Sequence, residues 1–140
     1  MELAIELPNW TAGTVCMLAT IGADGPYAIP VSAALRGGDQ RIVLALGARR
    51  GSLERLRAEP QVALTILAAG DIAFTAHGTA RVVADPLPGA EGVIGVELSV
   101  ERLTSHRRPT FVVEDGVVWD WVDDDARSRD AAVRAALSAL

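Results

Sequence analysis

The chain has 140 residues, enough for one domain with a sizeable core and too few for two full ones. Half of the residues are hydrophobic, which argues against wholesale disorder, and a formal net charge of -5 without a basic stripe argues against a nucleic-acid partner. All 13 basic residues are arginine, so lysine Schiff-base and lysine general-base chemistry are excluded for this chain.

Cys16 is the single cysteine, so no intrachain disulfide can form, and its place in the apolar run TVCMLAT marks it as a buried thiol. One cysteine and two distant histidines do not make a zinc site, and no metal is expected. The N-terminus MELAIEL is acidic and lacks the basic start and apolar run of a secretory signal. Charged residues interrupt every apolar segment, so no membrane partner is expected and a cytoplasmic location is.

In chain order, residues 2–9 suit a short helix or an arm, with Leu3 and Leu7 four apart and Pro8 breaking the pattern. Residues 14–21 read as a strand, GADG as a hairpin turn, and residues 26–36 as a second strand. Pro26 and Pro30 each remove a backbone donor, which places that strand at an edge or a bulge. A second turn at 37–39 leads into a third strand, 41–47, completing a meander. Residues 52–59 form the clearest internal helix, with Ser52 as N-cap, Leu53 and Leu56 on one face, and Pro60 just past the end.

Strands follow at 61–68 and 72–84, the latter with Gly78 as a bulge, and then at 93–100 after the PLPG break. The stretch 109–122, PTFVVEDGVVWDWV, carries the strongest hairpin signal in the chain, with Asp115-Gly116 at its turn. Residues 126–140 predict a helix with Val133, Leu137 and Leu140 on one stripe and Asp125 as its cap. Six or seven mostly antiparallel strands, one short helix after the third and a C-terminal helix predict a mainly β, closed or nearly closed barrel. Neither GxGxxG nor GxxxxGK[ST] occurs, so neither of the common nucleotide-binding loops is present.

Between the third strand and the first helix lies LGARRGSLERL, residues 46–56. Two adjacent arginines beside the free N–H groups of a helix start suit a phosphate group, and a solvated charged loop is the plainer alternative. His77 shares a face with Thr75 and Thr79, as a hydrogen-bonded structural residue or as a pocket residue. His106, Arg107 and Arg108 form a polar junction that is either exposed or reaches towards a cofactor or an anionic substrate. Trp119 and Trp121, two apart on a predicted strand, read as core or dimer interface, with ring stacking on a cofactor as the alternative. Trp10 could cover the barrel mouth. Glu97 and Glu101 lack the spacing of a general acid and base, and no catalytic side chain is assigned.

LATIGADGPYAIPVS followed by GGDQRIVLALGARRGSLERLRAEPQVALTI resembles the pyridoxamine 5'-phosphate oxidase-like superfamily, the flavin-binding split barrels, over about residues 12–68. The resemblance implies a six- or seven-stranded antiparallel split barrel over residues 1–140 and a homodimer with a cofactor cleft at the interface. It implies FMN, with deazaflavin F420 as runner-up, and a flavin-dependent oxidoreductase acting on a small-molecule substrate. A non-catalytic binder of FMN, F420 or haem is the alternative. By the same resemblance Arg49 and Arg50 hold the cofactor phosphate, with Gly51 and Ser52 at the helix start. Leu44, Ala45 and Leu46 lie on the strand along the isoalloxazine ring, and Pro30, Val31 and Ser32 border it. The chain lacks the arginine-rich C-terminal substrate signature of authentic pyridoxamine phosphate oxidases, and Leu46 and Gly47 stand where many FMN enzymes carry polar residues. Oxidation of vitamin B6 is therefore not implied.

Overall fold

Alternation along the strands decides which side faces inward. In β1 (Cys16–Gly22) the side chains of Cys16, Leu18 and Thr20 are buried, while Met17 and Ile21 point outward. β2 (Gly25–Val31) returns beside it through a tight turn. β3 (Ala34–Gly38) and β4 (Arg41–Gly47) form the next hairpin, and α1 (Gly51–Ala58) follows. β5 (Gln61–Ala68), β6 (Ile72–Ala84) and β7 (Val93–Ser105) come next, and α2 (Asp124–Ser138) lies last. These elements come from a computed structural model that describes residues 5–140.

All seven strands lie in one antiparallel sheet in the order β2-β1-β5-β6-β7-β4-β3. The two ends of that order are consecutive in sequence, separated only by Ser32 and Ala33. The Ala45 N–H donates to the Ala33 carbonyl at 3.0 Å, so β2 and β3 act as one bent stretch that draws the sheet ends together. The result is the split barrel that the sequence predicts. Pro26 and Pro30 sit on β2, which pairs only with β1, so their missing donors break no second ladder.

Leu18, Ile42, Leu44, Leu64, Ile66 and Leu98 fill the barrel, and α1 adds Leu53 and Leu56. A second cluster of Val43, Leu87 and Leu137 seats α2 against the outside of β3 and β4. Gly78 marks a register shift between β6 and β7, as predicted, because a Cβ there would stand 1.9 Å from the Ser99 carbonyl oxygen.

Several expectations need correction. The predicted strand 26–36 is broken at Ser32 and Ala33, where the barrel bends. β7 runs five residues past its predicted end because the long β6 supplies ladder partners as far as Ser105. Of the two alternatives for the N-terminal stretch, the described residues 5–9 take the arm; the Leu7 N–H donates to the Asp39 carbonyl and its carbonyl accepts from Arg36 Nε, both at 2.9 Å. Leu3 lies outside the described residues. Asp123, not Asp125, caps α2 by accepting the Ala126 N–H. Ser52 does not cap α1 either; Arg50 occupies that position and no side chain caps it.

The largest correction is at 109–122. No hairpin forms there: a single bridge joins Arg108 to Phe111, and the rest runs without a ladder. Both neighbours of β6 are already in place, and a hairpin left alone in water is marginal. Side-chain anchors hold the segment instead. Asp71 accepts the Val113 N–H at 2.9 Å and the Arg107 Nε–H at 2.9 Å, while the Asp71 N–H donates to the Val113 carbonyl. Trp119 Nε1 donates to the Gly13 carbonyl at 2.8 Å.

Candidate functional site

The ends of β2 and β4 and the turn before α1 enclose a cleft of about 150 Å³. β2 and the bend after it contribute Pro30, Val31 and Ser32; β4 contributes Ala45, Leu46 and Gly47; the turn contributes Arg50. Hydrogen bonds fix this turn: the Arg50 N–H donates to the Gly47 carbonyl at 3.0 Å, and the Leu53 N–H to the Arg50 carbonyl at 3.1 Å. Ala48 is tied to the loop before β7 through its N–H to the Gly92 carbonyl at 2.8 Å.

Six of the ten predicted cofactor residues, Pro30, Val31, Ser32, Ala45, Leu46 and Arg50, therefore meet in one place. Arg49 and Gly51 flank it, both exposed. Leu44 does not line the cleft; its side chain belongs to the barrel core. Ser52 is 1% exposed and its hydroxyl has no hydrogen-bond partner, so in this conformation it faces inward from the surface.

The electrostatics favour an anion. Among the described residues neither Arg49 nor Arg50 forms an ion pair or a side-chain hydrogen bond. Two uncompensated guanidinium groups thus stand beside an uncapped helix start, whose first N–H groups lack intrahelical partners. A phosphate satisfies both, and arginine binds it in a bidentate fork. The residues present fit a flavin phosphate. The cleft alone does not enclose a flavin ring, since ligand pockets span roughly 300–1,000 Å³.

The remaining candidates lie elsewhere. Trp119 and Trp121 pack edge to face at 5.0 Å and line a larger cleft of about 450 Å³ between the 115–121 segment and α2, with Arg127, Asp130 and Arg134. Trp10 packs on the core, with its indole N–H on the Ala34 carbonyl at 2.9 Å. Glu97 bridges Arg41 and Arg81; the Arg41 hydrogen bond holds its carboxyl below the usual range against the opposing effect of burial. Burial pushes the Cys16 thiol up to about 12, which makes it inert at neutral pH. His106 Nε2 lies 2.6 Å from Thr75 Oγ1, which in turn lies 2.7 Å from Thr65 Oγ1. That chain was missed in the sequence, where only the alternating threonines of β5 and β6 hinted at it.

The family model described as pyridoxamine 5'-phosphate oxidase matches residues 9–113. Among solved structures, the chain is similar to a candidate pyridoxamine 5'-phosphate oxidase from Listeria innocua, with 16% identity and a TM-score of 0.57, covering 68% of this chain and 90% of that one. A candidate pyridoxamine 5'-phosphate oxidase from Lactobacillus delbrueckii shares 22% identity at a TM-score of 0.57, covering 66% and 84%. An FAD-binding protein from Mesorhizobium loti shares 15% identity at a TM-score of 0.54, covering 66% and 85%. Among curated proteins none matches the sequence.

Proposed function

Because the chain belongs to the pyridoxamine 5'-phosphate oxidase-like superfamily of split barrels, we propose that it binds FMN and serves as a flavin-dependent oxidoreductase on a small organic substrate. The observation that carries this reading is the pair Arg49 and Arg50, without acidic partners among the described residues, beside an uncapped helix start and the cleft between β2 and β4. Arg50 would hold the phosphate together with Arg49 and the N–H groups of Gly51 and Ser52. Val31, Ser32, Ala45 and Leu46 would border the ring. A cleft of about 150 Å³ leaves most of a flavin uncovered, which supports a homodimer in which a second copy completes the site.

A bound flavin supplies two-electron redox chemistry, so the protein need only bind, orient and exclude water. The cleft fits that division of labour: among the described residues Ser32 is the only hydroxyl side chain lining it, and no carboxylate does. The same lining favours, as a second reading, a binding protein without turnover. Haem fits less well, since among the described residues no histidine, cysteine, methionine or tyrosine lines the cleft to serve as an axial ligand. F420 is the runner-up because its acidic tail calls for a longer basic surface than two adjacent arginines.

An absorbance titration of the purified protein with FMN and, separately, with F420 tests the assignment. Saturable binding of FMN at micromolar concentration or tighter, followed by nicotinamide-dependent turnover, is the expected result. Binding without turnover selects the second reading, and binding of neither cofactor removes both.

A further inference from the structure

The outer face of the sheet holds a second cluster of donors, on β6 and β7. Strand register places Pro30, Met17, Thr65, Thr75 and Thr104 in one cross-strand row, and Ala28, Ala19, Ala63, His77 and Arg102 in the next. At a strand spacing of roughly 4.8 Å, four steps amount to about 19 Å measured along the curved sheet from the β2 residues to the β7 end. There the small side chains give way to donors. His77 and Arg102 are direct cross-strand partners, and Thr75 and Thr104 are partners in the neighbouring row. Thr104 Oγ1 lies 3.3 Å from His77 Nε2, and His106 folds back onto Thr75.

Among the described residues no carboxylate forms an ion pair with this cluster. Arg102 is exposed and forms no ion pair or side-chain hydrogen bond among the described residues. Asp71 is engaged by Arg107, and Glu101, the nearest acid in sequence, accepts the Thr79 hydroxyl. His77 sits below its ordinary pKa, first through burial and then through the neighbouring Arg102 and His106, so its ring is held towards the neutral form. In a chain of net charge -5, the fixed positive charge of Arg102 thus stands unpaired beside two imidazoles and the Thr104 hydroxyl.

We propose that His77, Arg102, Thr104 and His106 form an oxyanion-binding site, one that takes the carboxylate or phosphate group of a small organic ligand. Arg102 supplies the fixed charge and the forked donors, and the imidazoles and the Thr104 hydroxyl complete the shell. The site is separate from the Arg49–Arg50 turn and stands whether or not that turn holds a flavin.

The test is imidazole NMR on the full chain, titrated in separate samples with inorganic phosphate and with acetate. The expected result is a saturable shift of the His77 and His106 ring signals with at least one anion. A response to phosphate alone identifies a phosphate group, and a response to both identifies general oxyanion recognition. Arg102→Ala should weaken the response about tenfold, the loss of one charge-assisted contact. The Arg49→Ala/Arg50→Ala double variant should leave it unchanged, so failure here and failure of the flavin reading are separable. Ring signals that do not move with either anion, or that move equally in Arg102→Ala, would overturn the proposal.

Discussion

β5 with β6, and the segment 109–122, are written in the same sequence grammar and meet different fates. Both alternate β-branched and polar residues around a turn, yet β5 and β6 pair along their whole facing length while 109–122 makes no ladder. The difference lies in the neighbours. β5 is flanked by β1 and β6, and its inward side chains Leu64 and Ile66 are fully buried. Val112, Val117, Val118 and Val122 find no facing layer and stand 65%, 62%, 87% and 95% exposed. Alternation states what a segment can do; a free edge and a core decide whether it does so.

That contrast can be broken by substitution, and the largest effect belongs to the barrel. Leu64→Ala should destabilise the fold by about 3 kcal/mol in chemical denaturation, because the site is fully buried between packed neighbours. Glu97→Gln should cost about 1–2 kcal/mol at neutral pH by weakening the hydrogen bonds that tie β7 to Arg41 and Arg81. The folded-state pKa of Glu97 is depressed, so its stabilisation is present above the unfolded value of about 4.3 and is lost as the pH falls through the folded value. The gap between wild type and Glu97→Gln should therefore close in acid, and a gap that is constant with pH would contradict the ion-pair account.

Asp71 plays the corresponding part for the 109–122 segment, and its removal should act locally. Asp71→Ala should speed amide exchange at Val113 and its neighbours while leaving exchange in β5 unchanged. Smallest of all, Val118→Ser should move stability by less than about 0.5 kcal/mol. A loss at Val118 comparable to that at Leu64 would mean the segment is a structural strand after all.

The two regions also show what the sequence made legible. The bounds of β4, β5 and β6 match the predicted runs because each is flanked by turn residues and alternates against one core. The candidate cleft was half legible: the Arg49–Arg50 turn and the Pro30–Ser32 stretch stood out as motifs, and the bend at Ser32 and Ala33 brings them together. Leu44 and Ser52 were placed at the site by the family resemblance, and both side chains are buried. The row from Thr65 through Thr75 to His106 was hidden, because it depends on the β5–β6–β7 register and on a residue beyond the last strand. The unpaired state of 109–122 was hidden for the same reason: it depends on which edges the rest of the chain has already used.

The central claim is that Arg49 and Arg50 hold the phosphate of a flavin, and comparing FMN with riboflavin tests it most directly, since the two differ only in that phosphate. Dissociation constants would be measured for both ligands with wild type and with Arg50→Ala. Wild type should bind FMN at least about 100-fold more tightly than riboflavin, as expected for a doubly charged group in charge-assisted hydrogen bonds, and Arg50→Ala should remove most of that preference with riboflavin affinity unchanged. Equal affinity for the two ligands in wild type, or a preference that survives in Arg50→Ala, would contradict the account.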